Sequence, residues 1–348
     1  MNGLKIFPIT NLSLIYTSIS ILLYTLGIVY FWNFTIDDAY ISLRYAENLS
    51  QGYGLVFNIV DEPYEAYSNF FFVLLESLLL LFGLEGVLYV KLLSYFFGIA
   101  TILLLPVLGN IELSKNKYAS HQIGFTQILL GTSSPYIIWT VGGLETIQFT
   151  FVVMATFVSY SYAESIKQKN NFYYIGDFFA VIAMLSRPEG LLVIILAITY
   201  RLFNQQYKST FILVFTILVY HLWKYWYFGD LLASPYYAKV HEKDLLGGLS
   251  RVYGLIELNL NIVYIFALLG FFGVVYQALK KKALSVRIYM ILFVLGYTSY
   301  VISLGYQVTM DDAYRYYVPS IAIFLVGLIY FFKSRFQVIS AISKLSCK

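Results

Sequence analysis

The sequence predicts an all-α polytopic membrane protein, and three observations predict it. Hydrophobic residues fill 59% of the 348 positions and charged residues only 12%, about half the charge of an ordinary soluble domain. Several apolar runs reach the roughly 20 residues that an α-helix needs to cross about 30 Å of hydrocarbon. These runs are continuous, without the apolar and polar alternation of a barrel strand. A helical bundle is then the spanning structure that satisfies its own backbone in lipid.

The segments of this character are 11 to 32, 66 to 83, 87 to 108, 121 to 141, 144 to 163, 172 to 186, 188 to 203, 209 to 228, 259 to 279, 287 to 305 and 316 to 333. The first follows Lys5 and has the outline of a secretory signal. Its apolar run is longer than a signal core, and no small-residue cleavage site precedes Asp37, so it reads as a retained anchor. Lys280, Lys281, Lys282 and Arg287 form one basic cluster and Lys333, Arg335, Lys344 and Lys348 another. Both sit beside spans, as cytoplasmic loops do, and report topology rather than a nucleic-acid partner. The single Cys347 rules out an intrachain disulfide and a thiolate metal cluster.

With both termini inside, the number of spans is even, whereas the segments number eleven. One segment is therefore re-entrant, half-spanning or merged with its neighbour. The shortest, 172 to 186, is the leading suspect, because Arg187-Pro188-Glu189 follows it at once. Proline blocks the continuing helix, and two charges at bilayer depth need a polar cavity. The whole chain, 1 to 348, is expected to form one integral membrane domain without a soluble domain or an internal repeat. Two stretches are long enough to hold structure outside the membrane: the first external loop, 33 to 65, and a second, 229 to 258, with Pro235-Tyr236-Tyr237, Lys239, His241 and Asp244.

The densest chemical signal opens the first loop, Asp37-Asp38-Ala39-Tyr40-Ile41-Ser42-Leu43-Arg44-Tyr45. Asp38 is a candidate N-cap, and Ile41, Tyr45 and Leu49 at i, i+4 and i+8 put one apolar face on a helix along the membrane surface. Helix capping explains one carboxylate. Two adjacent carboxylates beside a span can also share a proton, or divide the tasks of holding a divalent ion and accepting a proton.

Together with Gly52-Tyr53-Gly54-Leu55-Val56-Phe57-Asn58 and Tyr64-Glu65-Ala66-Tyr67-Ser68-Asn69, this stretch resembles the first external loop of the C-type glycosyltransferases, in particular the cell-wall arabinofuranosyltransferase-like members. Gly142-Gly143-Leu144-Glu145-Thr146, Leu185-Ser186-Arg187-Pro188-Glu189-Gly190, Gly229-Asp230-Leu231-Leu232 with Tyr236-Tyr237-Ala238-Lys239, and Arg315-Tyr316-Tyr317-Val318-Pro319 extend the resemblance to about residue 320. The chain departs from the family at Ala66 and Phe70, where glycine and proline are usual.

The resemblance implies a bundle of about 10 to 11 transmembrane or half-spanning helices with an amphipathic helix in the first external loop. It implies inverting transfer of a sugar from a polyprenyl-phosphate donor to a glycan, lipid or protein acceptor on the extracytoplasmic face of the bacterial plasma membrane. Asp38 or Asp37 would be the base, its partner orienting the sugar or a divalent cation such as Mg, Mn or Ca. Arg44, Glu65, Tyr67, Asn69, Glu145, Arg187, Glu189, Tyr237, Lys239 and Arg315 would bind substrate. The chemistry agrees: a phosphodiester donor already carries a good leaving group, so the reaction lacks only a base for the acceptor hydroxyl.

Other charged residues have plainer readings. Arg187 and Glu189 either pair across Pro188 and hold a broken helix together, or leave the guanidinium to grip a phosphate. Arg315 either anchors at the interface or holds phosphate. Lys91 reads as a snorkelling side chain and Glu76 as one that faces the bundle; Asp177 and Lys224 also fall in or beside apolar segments. His121, His221 and His241 have no ligand spacing for a transition metal. The competing class is a lipid or sugar transporter or flippase, which would place its charges at the bilayer midplane within two related halves.

Overall fold

The computed structural model describes residues 11–113, 118–166, 171–235, 246, 262–280, 285–303, 312–329 and 331, and among them every regular element is helical. They are α1 (Asn11–Tyr30), α2 (Asp38–Ser50), α3 (Phe70–Leu81), α4 (Val87–Leu113), α5 (Ala119–Gly131), α6 (Ser134–Val141), α7 (Thr146–Ile166), α8 (Phe172–Ser186), α9 (Gly190–Phe203), α10 (Tyr207–Phe228), α11 (Ile262–Lys280) and α12 (Val286–Ser303). A 3-10 turn, Asp312–Tyr317, then leads into a last apolar helix, Arg315–Ile329.

Polar contacts fix the path of the chain between two ends of the bundle. At one end, Lys91 near the start of α4 donates to the carbonyls of Trp32 (2.7 Å) and Phe34 (3.0 Å), just past α1. At the other, Glu112 near the end of α4 pairs with Arg287 at the start of α12. Helices α7 and α8 pair antiparallel along their length. Gln148 donates to Ser186 (2.9 Å) near one end and Tyr160 to Asp177 (2.6 Å) near the other. Arg201, in the last turn of α9, bonds Asp177 (2.7 Å) and Ser209 of α10 (2.6 Å). Lys224 then brings α10 back to Glu65 in the first loop, at 2.6 Å. Helices α5 and α6 make one traverse, interrupted at Thr132 and Ser133 ahead of Pro135.

Charged groups thus gather in two layers, at opposite ends of a core of apolar side chains. Along α7, Glu145 of one layer and Tyr160, which bonds Asp177 of the other, are about 22 Å apart. Four helices, α1, α4, α10 and α12, are long and apolar enough to cross a membrane. Helices α1 and α10 leave large apolar side chains uncovered, among them Leu22, Leu26, Phe211, Phe215 and Leu218, as contact with lipid requires.

Two expectations change. Segment 172 to 186 forms α8, 15 residues long, with Asp177 in one polar layer and the break at Arg187 in the other. Segment 66 to 83 is the one that does not traverse. Asn69 ahead of α3 bonds Glu145 at 3.0 Å, and Lys91, one turn into α4, is again at that same end. The 12 residues of α3 rise about 18 Å. Lys91 does not snorkel: it is buried and donates to the carbonyls of Trp32 and Phe34, just past the end of α1.

The first-loop helix also departs in detail. Its cap is Asp37, whose carboxylate accepts from the Asp38 N–H (3.0 Å), and the helix begins at Asp38. The stripe of Ile41, Tyr45 and Leu49 packs on protein, against Tyr67, Val73 and Phe228.

Candidate functional site

The cleft at this end of the bundle is built mainly by five stretches. The first turns of α2 supply Asp38, Ile41 and Ser42; the segment before α3 supplies Ala66, Tyr67, Ser68 and Asn69. The turn between α6 and α7 adds Glu145, and Arg187 and Arg315 come from the α8–α9 break and the 3-10 turn. The space they enclose, open to solvent, is ≈ 480 Å³. The α6–α7 turn approaches α2 closely because of Gly143. Its φ is +81°, and a Cβ there would meet the Ala39 Cβ at 2.8 Å, so glycine satisfies both the backbone and the space. The Ile36 N–H donates to the Gly142 carbonyl (3.1 Å) and fixes the two segments together.

Glu145 is the hub. It is 2% exposed and accepts from Asn69 (3.0 Å), from Arg315 (2.8 Å) and from Arg187. Burial alone would push its carboxyl up, but Arg315 and Arg187, with Asn69, outweigh that and hold it below the usual carboxylate value. Asn69 also exchanges hydrogen bonds with Ser42, at 2.9 and 3.1 Å. Ser42 lies four residues after Asp38, one turn along the same face of α2. The helix that carries Asp38 is thereby tied to the Glu145 hub.

The arginines are already engaged. Arg187 gives Glu189 a two-point contact, Nε at 3.1 Å and Nη2 at 2.9 Å, and turns Nη1 to Glu145. Its guanidinium lies over Tyr316 (5.3 Å) and Phe149 (5.7 Å). Arg187 and Glu189 are therefore the pair that holds the broken helix at Pro188. Arg315 bonds Thr146 (3.1 Å) as well as Glu145 and stacks on Trp139 at 5.2 Å, so it is buried in the bundle rather than anchored at an interface.

The aspartates separate. Asp37 is exposed and caps α2, whereas Asp38 is half-buried and lines the cleft. Of the pair, Asp38 is the one in the lining of this cleft. Among the described residues no group of three or more His, Cys, Asp or Glu converges as a metal centre does.

Tyr67 and Asn69 are brought to the cleft as the motifs suggested. Arg44 is not: it is exposed, bonds the Phe57 carbonyl (3.2 Å) and pairs with Glu47 at 3.5 Å. Glu65 lines a neighbouring cleft, where burial pushes its carboxyl up and Lys224 only partly offsets the shift. Tyr237, Lys239, His241 and Asp244 lie outside the described residues. Ser42, Thr146 and Trp139 were not singled out from sequence. Ser42 had a signal, a small polar residue one turn from Asp38; the other two had none. Comparison with protein-family models, with curated proteins and with solved structures gives no match for this chain.

Proposed function

We propose that this protein is an integral-membrane glycosyltransferase of the C type. It moves a sugar from a polyprenyl-phosphate donor to a glycan, lipid or protein acceptor on the extracytoplasmic face of a bacterial plasma membrane. In this reading ten passes cross the bilayer: α1, α4, α5 with α6, α7, α8, α9, α10, α11, α12 and Arg315–Ile329. Helices α2 and α3 lie on the outer side.

The observation that carries the reading is the place of Asp38, half-buried in the lining of the cleft, beside Glu145, which two arginines hold. The acceptor oxygen attacks the anomeric carbon while its proton passes to Asp38. The bond from that carbon to the phosphate oxygen breaks, and its electron pair leaves on the polyprenyl phosphate. A retaining route needs a second carboxylate as nucleophile, and Glu145, fixed by Arg187 and Arg315, is unsuited to that part. The transporter reading has less support, since the charges gather at the two ends of the bundle rather than between them.

Asp38→Asn is expected to reduce transfer from a polyprenyl-phosphate sugar in proteoliposomes by about 10²-fold or more, the usual worth of a general base. Asp37→Asn should keep most of the activity, because asparagine caps a helix as well as aspartate does. Full activity in Asp38→Asn would sink the mechanism, and loss confined to Asp37→Asn would exchange the two roles.

A further inference from the structure

Beside the first cleft lies a second of ≈ 530 Å³, which shares Ser68 and Arg187 with it. Part of its lining is apolar, contributed by Met184, Leu191, Leu231 and Leu232. The remainder includes Lys224, His221 and Glu65. The Lys224 side chain is only 8% exposed and Glu65 only 4%, with Nζ and Oε2 2.6 Å apart. Lys224 also stands over the Tyr220 ring, 5.7 Å from its centroid. The Nδ1 of His221 bonds the Ile217 carbonyl at 2.9 Å. A carbonyl only accepts, so this nitrogen carries the hydrogen and Nε2 is the ring's remaining acceptor.

Glu65 is anchored through its backbone. Its carbonyl accepts from the Ser234 N–H at 2.9 Å. On either side the Tyr45 hydroxyl donates to the Tyr64 carbonyl (2.7 Å) and accepts from the Ala66 N–H (3.1 Å). The carboxylate can therefore swing away from Lys224 without the loop having to unfold.

We propose that this second cleft binds the phosphate end of an amphiphilic anion, with Lys224 as the cation that meets the phosphate and Glu65 as an internal counter-ion that the phosphate displaces. A buried ammonium needs a counter-charge at all times, and Glu65 supplies it while the cleft is empty of ligand. A phosphate offers more acceptor oxygens than a carboxylate and can meet more than one of the three N–H donors of Lys224. The apolar lining takes the first carbons of the attached chain, which free phosphate lacks. This inference rests on the membrane reading given above and names the place where the lipid end of that donor docks. It is tested by binding alone, so a protein that binds and does not transfer keeps the inference and loses the glycosyltransferase.

The probe is a C15 isoprenyl monophosphate, titrated into full-length protein in nanodiscs of neutral lipid. Tryptophan fluorescence is the readout, since Trp223 stacks on Tyr220 and Tyr227 beside the cleft. Lys224→Gln should weaken binding at least tenfold. Glu65→Gln, which removes the competitor and leaves the ammonium, should tighten it at least tenfold. The double variant leaves neither member of the buried pair without its partner and should match Lys224→Gln, with its thermal midpoint reporting that it is folded. Binding by Lys224→Gln at the wild-type level, or no tightening in folded Glu65→Gln, overturns the proposal. Inorganic phosphate binding as tightly as the isoprenyl phosphate also overturns it. Displacement of the probe by phosphatidylglycerol supports the site with a bulk lipid as its ligand; resistance to displacement supports it with an isoprenyl carrier.

Discussion

Glu76 shows how far burial alone can carry an argument about one residue. It is 1% exposed on α3, and among the described residues neither of its carboxyl oxygens has a partner. A buried polar group left without hydrogen bonds costs about 1–3 kcal/mol, while an apolar side chain of similar size does not. Glu76→Leu should therefore raise the thermal midpoint of the protein in detergent by a few degrees. A fall would mean that the carboxyl meets a partner beyond the described residues. The same scale decides what could be read from the sequence. The motif at 37 to 45 named both aspartates, but which one caps the helix depends on where the backbone first turns, and a pattern with two adjacent candidates does not fix that. Arg44 stood in the same motif and faces away. It is six residues after Asp38, about 240° around the helix, whereas Ser42 at four residues returns to the cleft. Arg187 was open between two readings, and only the positions of Glu189 and Glu145 could choose between them.

Helices were legible where composition and length agreed, and less so where one misled. Segment 66 to 83 looked like a span because α3 is apolar all around. The cause is burial of Phe72 and Val73 against α2, α4 and the end of α10, with Leu78, Leu81 and Phe82 left uncovered. Segment 172 to 186 stood out as the shortest, with Arg187-Pro188-Glu189 directly after it. In the structure α8 keeps its 15 residues helical up to that break, with Asp177 in one polar layer and Arg187 in the other. Close approach of helices was not legible at all. A Cβ on Gly327 would run into the backbone of Gly270, and one on Gly270 into the Phe324 carbonyl. Here α11 and Arg315–Ile329 touch through their main chains, as small residues permit in membrane bundles. Gly327→Ala should cost about 1–3 kcal/mol, typical of overpacking, and lower the thermal midpoint. Gly296→Ala is the comparison, because its Cβ meets only the movable side chain of Leu192, at 3.1 Å. Equal midpoints for the two variants would show that the backbone contact is not needed.

For the whole molecule, the arrangement of charge makes the topology testable. The layer holding Asp38, Glu145, Arg187 and Arg315 and the layer holding Glu112, Asp177, Arg201 and Arg287 face opposite ends. If a bilayer fills the apolar region between them, the α3–α4 turn belongs with the cleft and the α9–α10 turn with the opposite surface. Glu85 and Lys208 are exposed in or beside those turns. In a Cys347→Ser background, Glu85→Cys should react with a membrane-impermeant maleimide added to intact cells or spheroplasts, and Lys208→Cys should react only after lysis. The contrast separates two architectures that hydropathy treats alike. A spanning segment 66 to 83 would carry Glu85 to the side opposite Asp38 and leave it protected, whereas a helix that stays beside α2 keeps it on the labelled side. Protection of Glu85→Cys before lysis, with full reaction afterwards, would restore 66 to 83 as a span.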